Sequence, residues 1–217
     1  MAICGYVAFG PSRADNDQED PASREIAAVI DSVRRSSFPQ LKDAAITLRE
    51  MRSDYIYFET RFTVSSFFLD RRLRYVIWFN REALIRQAPA DGLRAIVAHE
   101  LAHIDYFNRD SRMGLLALAQ LLWASYNARF ERSADIEAIA LEYGPGLESY
   151  RRWLYRNVPP DRMEEKKRDY FSPEEIEAIL QSVRQKPQIM ETLSRCVPRD
   201  LVQIQWRIEN PGARCSN

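Results

Sequence analysis

Arg94-Ala95-Ile96-Val97-Ala98-His99-Glu100-Leu101-Ala102-His103 decides how the rest of this 217-residue chain is read. Around it, Leu93, Ile96, Val97, Leu101 and Ile104 recur at helical spacing, and Pro89 and Asp91 stand where such a helix would start. The sequence has two histidines, and both lie in this stretch, four residues apart. On a helix that spacing puts both imidazoles on one face, a turn apart, where they can converge on one zinc ion. Glu100 projects about 100° further round the axis, within reach of a water on that ion. A catalytic zinc takes three protein ligands and keeps one position open, so a third ligand must come from elsewhere. Two histidines packed on a helix by chance is the plain alternative, and it is hard to sustain in a chain that has no others.

Downstream, a helical tract spans Leu115 to Tyr143 and stops at Gly144-Pro145-Gly146, read as a left-handed glycine cap followed by a proline that forbids continuation. Its apolar beginning, Gly114 to Ala124, is about half a membrane span and reads as a buried helical segment, so no integral membrane segment is expected. Within the tract, Glu131 and Asp135 stand at i and i+4, where two carboxylates repel unless a cation or donor sits between them. By spacing alone they are equally a metal ligand with its neighbour or a solvated acidic pair relieved by Arg129 or Arg132. Further on, Ser172-Pro173-Glu174-Glu175 is a capping box with proline at the first helical position, opening a helix through about Gln185.

Upstream the period changes. Ile46 to Met51 alternates apolar and polar residues, as do parts of Tyr55 to Phe68, and Leu73 to Phe79 follows the charged turn Asp70-Arg71-Arg72. These predict three or four strands of a small sheet, antiparallel given the short connections. Before them, Ala22 to Arg35 carries a helical stripe of Ile26, Val29, Ile30 and Val33, ended by Ser36 to Pro39. Residues 1–21 are expected to be a flexible segment, polar and turn-rich from residue 10. The expectation is therefore an α+β chain with a single domain over 22–217, helical in its C-terminal part from about residue 147.

Equal numbers of cationic and anionic residues, 31 each, give no bulk attraction to nucleic acid or anionic membrane, and nucleic acid is not an expected partner. Cys4, Cys196 and Cys215 lack CxxC spacing, which disfavours a cysteine-based zinc site. A Cys196–Cys215 disulfide, favouring the cell envelope, periplasm or exterior, and three separate thiols both stay open. Serine or cysteine hydrolase chemistry is disfavoured because both histidines already sit on the metal helix. No P-loop or GxGxxG supports nucleotide chemistry.

HExxH followed on a second helix by Glu-x-x-Ala-Asp, here Glu131-Arg132-Ser133-Ala134-Asp135, resembles the gluzincin metallopeptidases and within them the M48 family, the HtpX group. The similarity covers roughly residues 74–143: Arg74 to Phe79 resembles the strand before the active-site helix, and Arg94 to His103 is similar to that helix. The resemblance implies a zincin-like fold, in which a small antiparallel or mixed sheet precedes the active-site helix and a second ligand-bearing helix. It implies a zinc cofactor held by His99, His103 and Glu131, Glu100 as general base, and Asp135 accepting the other ring N–H of a histidine ligand. The implied substrate is a peptide or protein, which would add as an extra strand if Tyr75 to Asn80 is a sheet edge. Gluzincins often use a histidine, tyrosine or arginine after the third ligand as oxyanion donor. Tyr150, Arg151 and Tyr155, with Arg152 and Arg156 in the same cluster, are the candidates here, and each could equally pack or solvate a helix. Membrane members of the family carry spanning helices that find no counterpart in this sequence, which reads as a compact soluble relative. A second class of reading is a metal-stabilised binding or regulatory protein that cleaves nothing. Retention of Glu100 argues against it, because a structural site needs no base.

Overall fold

A computed structural model describes residues 20–70, 72–109 and 124–215. Helix α1 (Pro21–Ser37) begins where the Asp20 carboxylate accepts hydrogen bonds from the main-chain N–H groups of Ala22 and Ser23. This is an N-cap followed by proline in the first turn, so the last two residues assigned to the flexible segment start the helix. Its stripe of Ile26, Ile30 and Val33 is buried. A short 3₁₀ turn, Pro39–Leu41, leads into the sheet.

The sheet has three strands, β1 (Ala45–Met51), β2 (Phe58–Phe62) and β3 (Arg74–Asn80), in the spatial order β1-β3-β2. β1 runs parallel to β3 and β2 antiparallel to it, so the sheet is mixed and not antiparallel throughout. Part of the stretch that alternates in sequence is helical: α2 (Val64–Leu69) separates β2 from β3. The Ser66 hydroxyl explains the turn, since it donates to the Thr63 carbonyl and accepts from the Arg74 amide, closing a loop that an extended chain would not. One expectation is overturned. Tyr75 to Asn80 is the central strand, bonded on both sides, and has no free edge for an added peptide. Tyr75, Val76, Ile77, Phe79 and Asn80 are buried, a nearly continuous run that belongs to an interior strand.

A short helix α3 (Glu82–Ile85) turns the chain into α4 (Ala90–Arg109). Between Gly92 and Asp105 only Arg94 escapes burial, so α4 is a core helix, clasped by α1, β2 and the first two of the helices that follow. The described helices that follow are α5 (Ala124–Ala140), α6 (Gly144–Asn157), α7 (Pro160–Asp169), α8 (Pro173–Gln185), α9 (Ile189–Arg195) and α10 (Leu201–Glu209). Gly144-Pro145-Gly146 does not act as a left-handed stop. The reversal is made by Glu142 (φ 69°), and Gly144 opens α6 with Pro145 in its first turn. Gly146 is needed for proximity, because a Cβ there would strike the Asp91 carbonyl and lie 3.2 Å from Ala95 Cβ.

The Ser172 capping box forms as read, with the Glu175 amide donating to Ser172 Oγ and the Ser172 amide to the Glu175 carboxylate. A second core of Ile136, Leu147, Phe171, Ile176, Ile179 and Leu193 binds the C-terminal helices to α5 and α6. Cys196 is bonded to Cys215, which ties the end of α9 to the segment after α10. Among the described residues no helix is long and apolar enough to cross a membrane. Residues 1–19, Cys4 among them, and the apolar run from Gly114 up to Trp123 lie outside the described residues.

Candidate metal centre

Helices α4 and α5 pack against each other, with Ala98, Ala102 and Ala134 buried in the same core, and side chains of both helices meet. One ligand atom from each of His99, His103 and Glu131 lies within 4.8 Å of the others. The two Nε2 atoms are 3.1 Å apart, and Glu131 Oε2 is 3.1 Å from His99 Nε2 and 3.2 Å from His103 Nε2. A tetrahedral ion bound at about 2.0–2.2 Å separates its ligand atoms by about 3.3–3.6 Å, so these three atoms already stand near the spacing such an ion needs.

The protonation pattern points the same way. His99 Nδ1 is 2.7 Å from Asp135 Oδ1, a contact in which the ring donates, so a neutral His99 turns the lone pair of Nε2 toward Glu131 and His103. Three lone-pair atoms converging in a buried pocket repel unless a cation sits among them. Burial disfavours charge on His99, yet the Asp135 bond and charge and the Glu131 bond outweigh it and raise its pKa to about 10. Burial pushes Glu131 up, but the two histidines hold it far below the usual carboxylate range. The pocket is thus built to draw in positive charge, which protons or a metal ion supply.

Beyond the triad, Asp135 is fully buried and triply held, accepting from His99, from Arg151 Nη2 at 2.8 Å and from the Phe171 amide at 3.1 Å. Burial raises its carboxyl, and Arg151 and His99 reverse that. His103 is fixed from the side by Phe130, whose ring stacks on it with centroids 4.5 Å apart. Glu100 is buried on the same helix, its pKa raised by burial against the pull of the two histidines. The Thr60 hydroxyl, 3.4 Å from the Glu100 carbonyl, ties β2 to this turn of α4.

Glu100 borders a cavity of about 20 Å³, space for roughly one water, whose walls include Tyr57, Tyr150, Arg151, Lys166 and Tyr170. Of the residues the sequence singled out, His99, His103, Glu131 and Asp135 come together in the ligand cluster, while Glu100, Tyr150 and Arg151 line the cavity, whose walls include none of the three candidate ligands. Arg151 is engaged by Asp135. Tyr155 is not part of the lining and its buried hydroxyl has no hydrogen-bond partner, while Arg152 is exposed against Glu148 and Arg156 faces solvent. Lys166 and the half-buried Tyr170 were not anticipated. In sequence Lys166 sits in Glu164-Glu165-Lys166-Lys167-Arg168, a run that reads as a solvated helix face.

Comparison of the chain with protein-family models, curated proteins and solved structures found no match.

Proposed function

We propose that this chain is a zinc-dependent peptidase of the gluzincin kind, with His99, His103 and Glu131 as metal ligands and Glu100 as general base. One observation carries the reading: two imidazoles and a carboxylate converge at ligand spacing beside a buried glutamate that borders a water-sized cavity. Zinc fits the donor set of two nitrogens and one oxygen with a position left open, and when bound it would lower the pKa of a water and polarise a carbonyl. The chain's own residues do the rest. Glu100, its affinity for a proton raised by burial, takes the proton from the attacking water and passes it to the leaving amine. Asp135, steadied by Arg151 and the Phe171 amide, holds His99 in the tautomer that keeps Nε2 free for the metal. The zincin-like arrangement rests on the same elements, a mixed sheet ahead of α4 and the ligand-bearing α5.

A second reading, a metal-stabilised protein that cleaves nothing, is favoured by the burial of Glu100 (4% exposed) and by the small free space beside it, about that of one water. Zinc-loaded protein incubated with casein and a quenched-fluorescence peptide library separates the two. The peptidase reading expects cleavage that falls by about 10²–10⁴-fold in Glu100→Gln, with zinc retained. Bound zinc without cleavage of any library member would leave the second reading standing.

A further inference from the structure

We propose that Lys166 is a catalytic residue, the cation that receives the oxyanion formed when a peptide carbonyl is attacked beside Glu100; this rests on the peptidase reading. Lysine is the side chain least expected in a protein interior without a partner, yet Lys166 is 8% exposed. Among the described residues no carboxylate oxygen lies within 4.0 Å of its ammonium. Its company is two aromatic faces, Tyr170 at 5.2 Å and Tyr55 at 5.5 Å from the ring centroids. Both rings line the cavity that Glu100 borders, and Lys166 lines it too. A buried charge with ring faces and no carboxylate in contact is costly, and burial pulls its pKa down against the more distant charge of Glu131. Among the described residues no ion pair gives a reason for an ammonium at this position.

The charge balance supplies one. Asp135 and Arg151 cancel. A divalent ion would cancel the carboxylates of Glu131 and Glu100, leaving Lys166 as a surplus of one positive charge at the cavity. Addition of water moves one negative charge from Glu100 onto the carbonyl oxygen. The water oxygen bonds to the carbonyl carbon as Glu100 takes a proton, and the C=O π pair moves onto the carbonyl oxygen. Lys166 donates a hydrogen bond to that oxygen and keeps its own proton. The pair then returns to re-form C=O as the C–N bond breaks, and the proton on Glu100 goes to the amine nitrogen. The other cation in the cavity wall, Arg151, keeps an unpartnered Nε but has its charge matched by Asp135 at 2.8 Å from Nη2, which leaves Lys166 as the cation with no carboxylate in contact.

The test compares Lys166→Met, which keeps the apolar stem, with Lys166→Arg in zinc-loaded protein. Lys166→Met should lower kcat about 10²–10³-fold with KM little changed, and Lys166→Arg should recover part of the loss. Affinity for a phosphinic peptide, a tetrahedral anionic mimic, should fall by a comparable factor, while affinity of Glu100→Gln for the uncleaved peptide should be insensitive to adding Lys166→Met. Zinc-loaded Lys166→Met should melt about 2–4 °C higher than zinc-loaded wild type, because with the carboxylates cancelled a buried surplus charge is gone. Unimpaired turnover in Lys166→Met, equal loss of mimic and substrate binding, or a lowered melting temperature would each overturn the proposal while leaving the peptidase reading intact. Wild-type protein that binds zinc and cleaves nothing would overturn both.

Discussion

Replacing Asp135 by Asn should separate two tasks that one carboxylate performs. Its side chain is wholly buried and that of Arg151 is 2% exposed, with 2.8 Å between Oδ1 and Nη2. Asparagine keeps the shape and its one carbonyl oxygen can still accept from His99, but its amide nitrogen would face the Phe171 N–H, and the guanidinium is left buried without a counter-charge. Breaking one side of a buried pair costs about 3–5 kcal/mol. Separately, losing the carboxylate that orients a metal-binding histidine weakens metal affinity by about 10–100-fold, or about 1.4–2.7 kcal/mol. Adding Arg151→Met removes the orphaned charge, so the double variant should regain stability to within about 1–3 kcal/mol of wild type, the remainder being the unpaired Phe171 N–H. It should not regain metal affinity, because Arg151 acts on the metal only through the carboxylate. Urea unfolding of the metal-free proteins measures the first quantity, and competition against a chelator of known affinity measures the second. An Asp135→Asn variant that unfolds within about 1 kcal/mol of wild type, or a double variant that binds zinc as tightly as wild type, would refute the reasoning.

Metal binding should release protons. His99, raised to about 10, is charged in the metal-free protein at neutral pH and must surrender its Nε2 proton, so titration calorimetry in buffers of different ionisation enthalpy should find about one proton or more per ion. The same shift sets a stability profile. Because the folded pKa lies above the ordinary 6.5, the stabilisation is complete below pH 6.5 and is lost as pH rises through about 10, so the melting temperature of metal-free protein should fall across that window. Zinc at about 100 times its dissociation constant should add about 2.7 kcal/mol, read as a rise in melting temperature that EDTA reverses. Gly146→Ala should destabilise by about 1–3 kcal/mol in urea, since its Cβ would meet the Asp91 carbonyl; no loss would mean that α4 and α6 have room to part.

Legibility from the sequence followed the range of the interaction. Helix α4 and its two histidines could be read because 3.6-residue periodicity alone places His99 and His103 on one face. The capping box at Ser172 is equally local and formed as read. Glu131 was ambiguous by spacing, since nothing in α5 alone tells a carboxylate facing a histidine from one facing water; the packing of α5 against α4 decides it. Strand pairing is non-local, so the central place of β3 was missed, although its unbroken buried run carried the signal. The Gly144-Pro145-Gly146 reading failed because a glycine between helices serves a left-handed turn or a close approach equally well, and Asp91, more than fifty residues earlier, makes it the second at Gly146. Lys166 had no local signal. Its burial follows from Tyr55 and Tyr170 closing over a residue whose neighbours in sequence are solvated.

Native mass spectrometry of the folded chain purified with zinc, beside His103→Ala, Glu131→Ala and Glu100→Gln, tests the metal centre most directly. One zinc ion per chain in wild type and Glu100→Gln, and none in His103→Ala or Glu131→Ala, is the expected result. A folded wild-type chain without zinc, or zinc retained when His103 or Glu131 is removed, would contradict it.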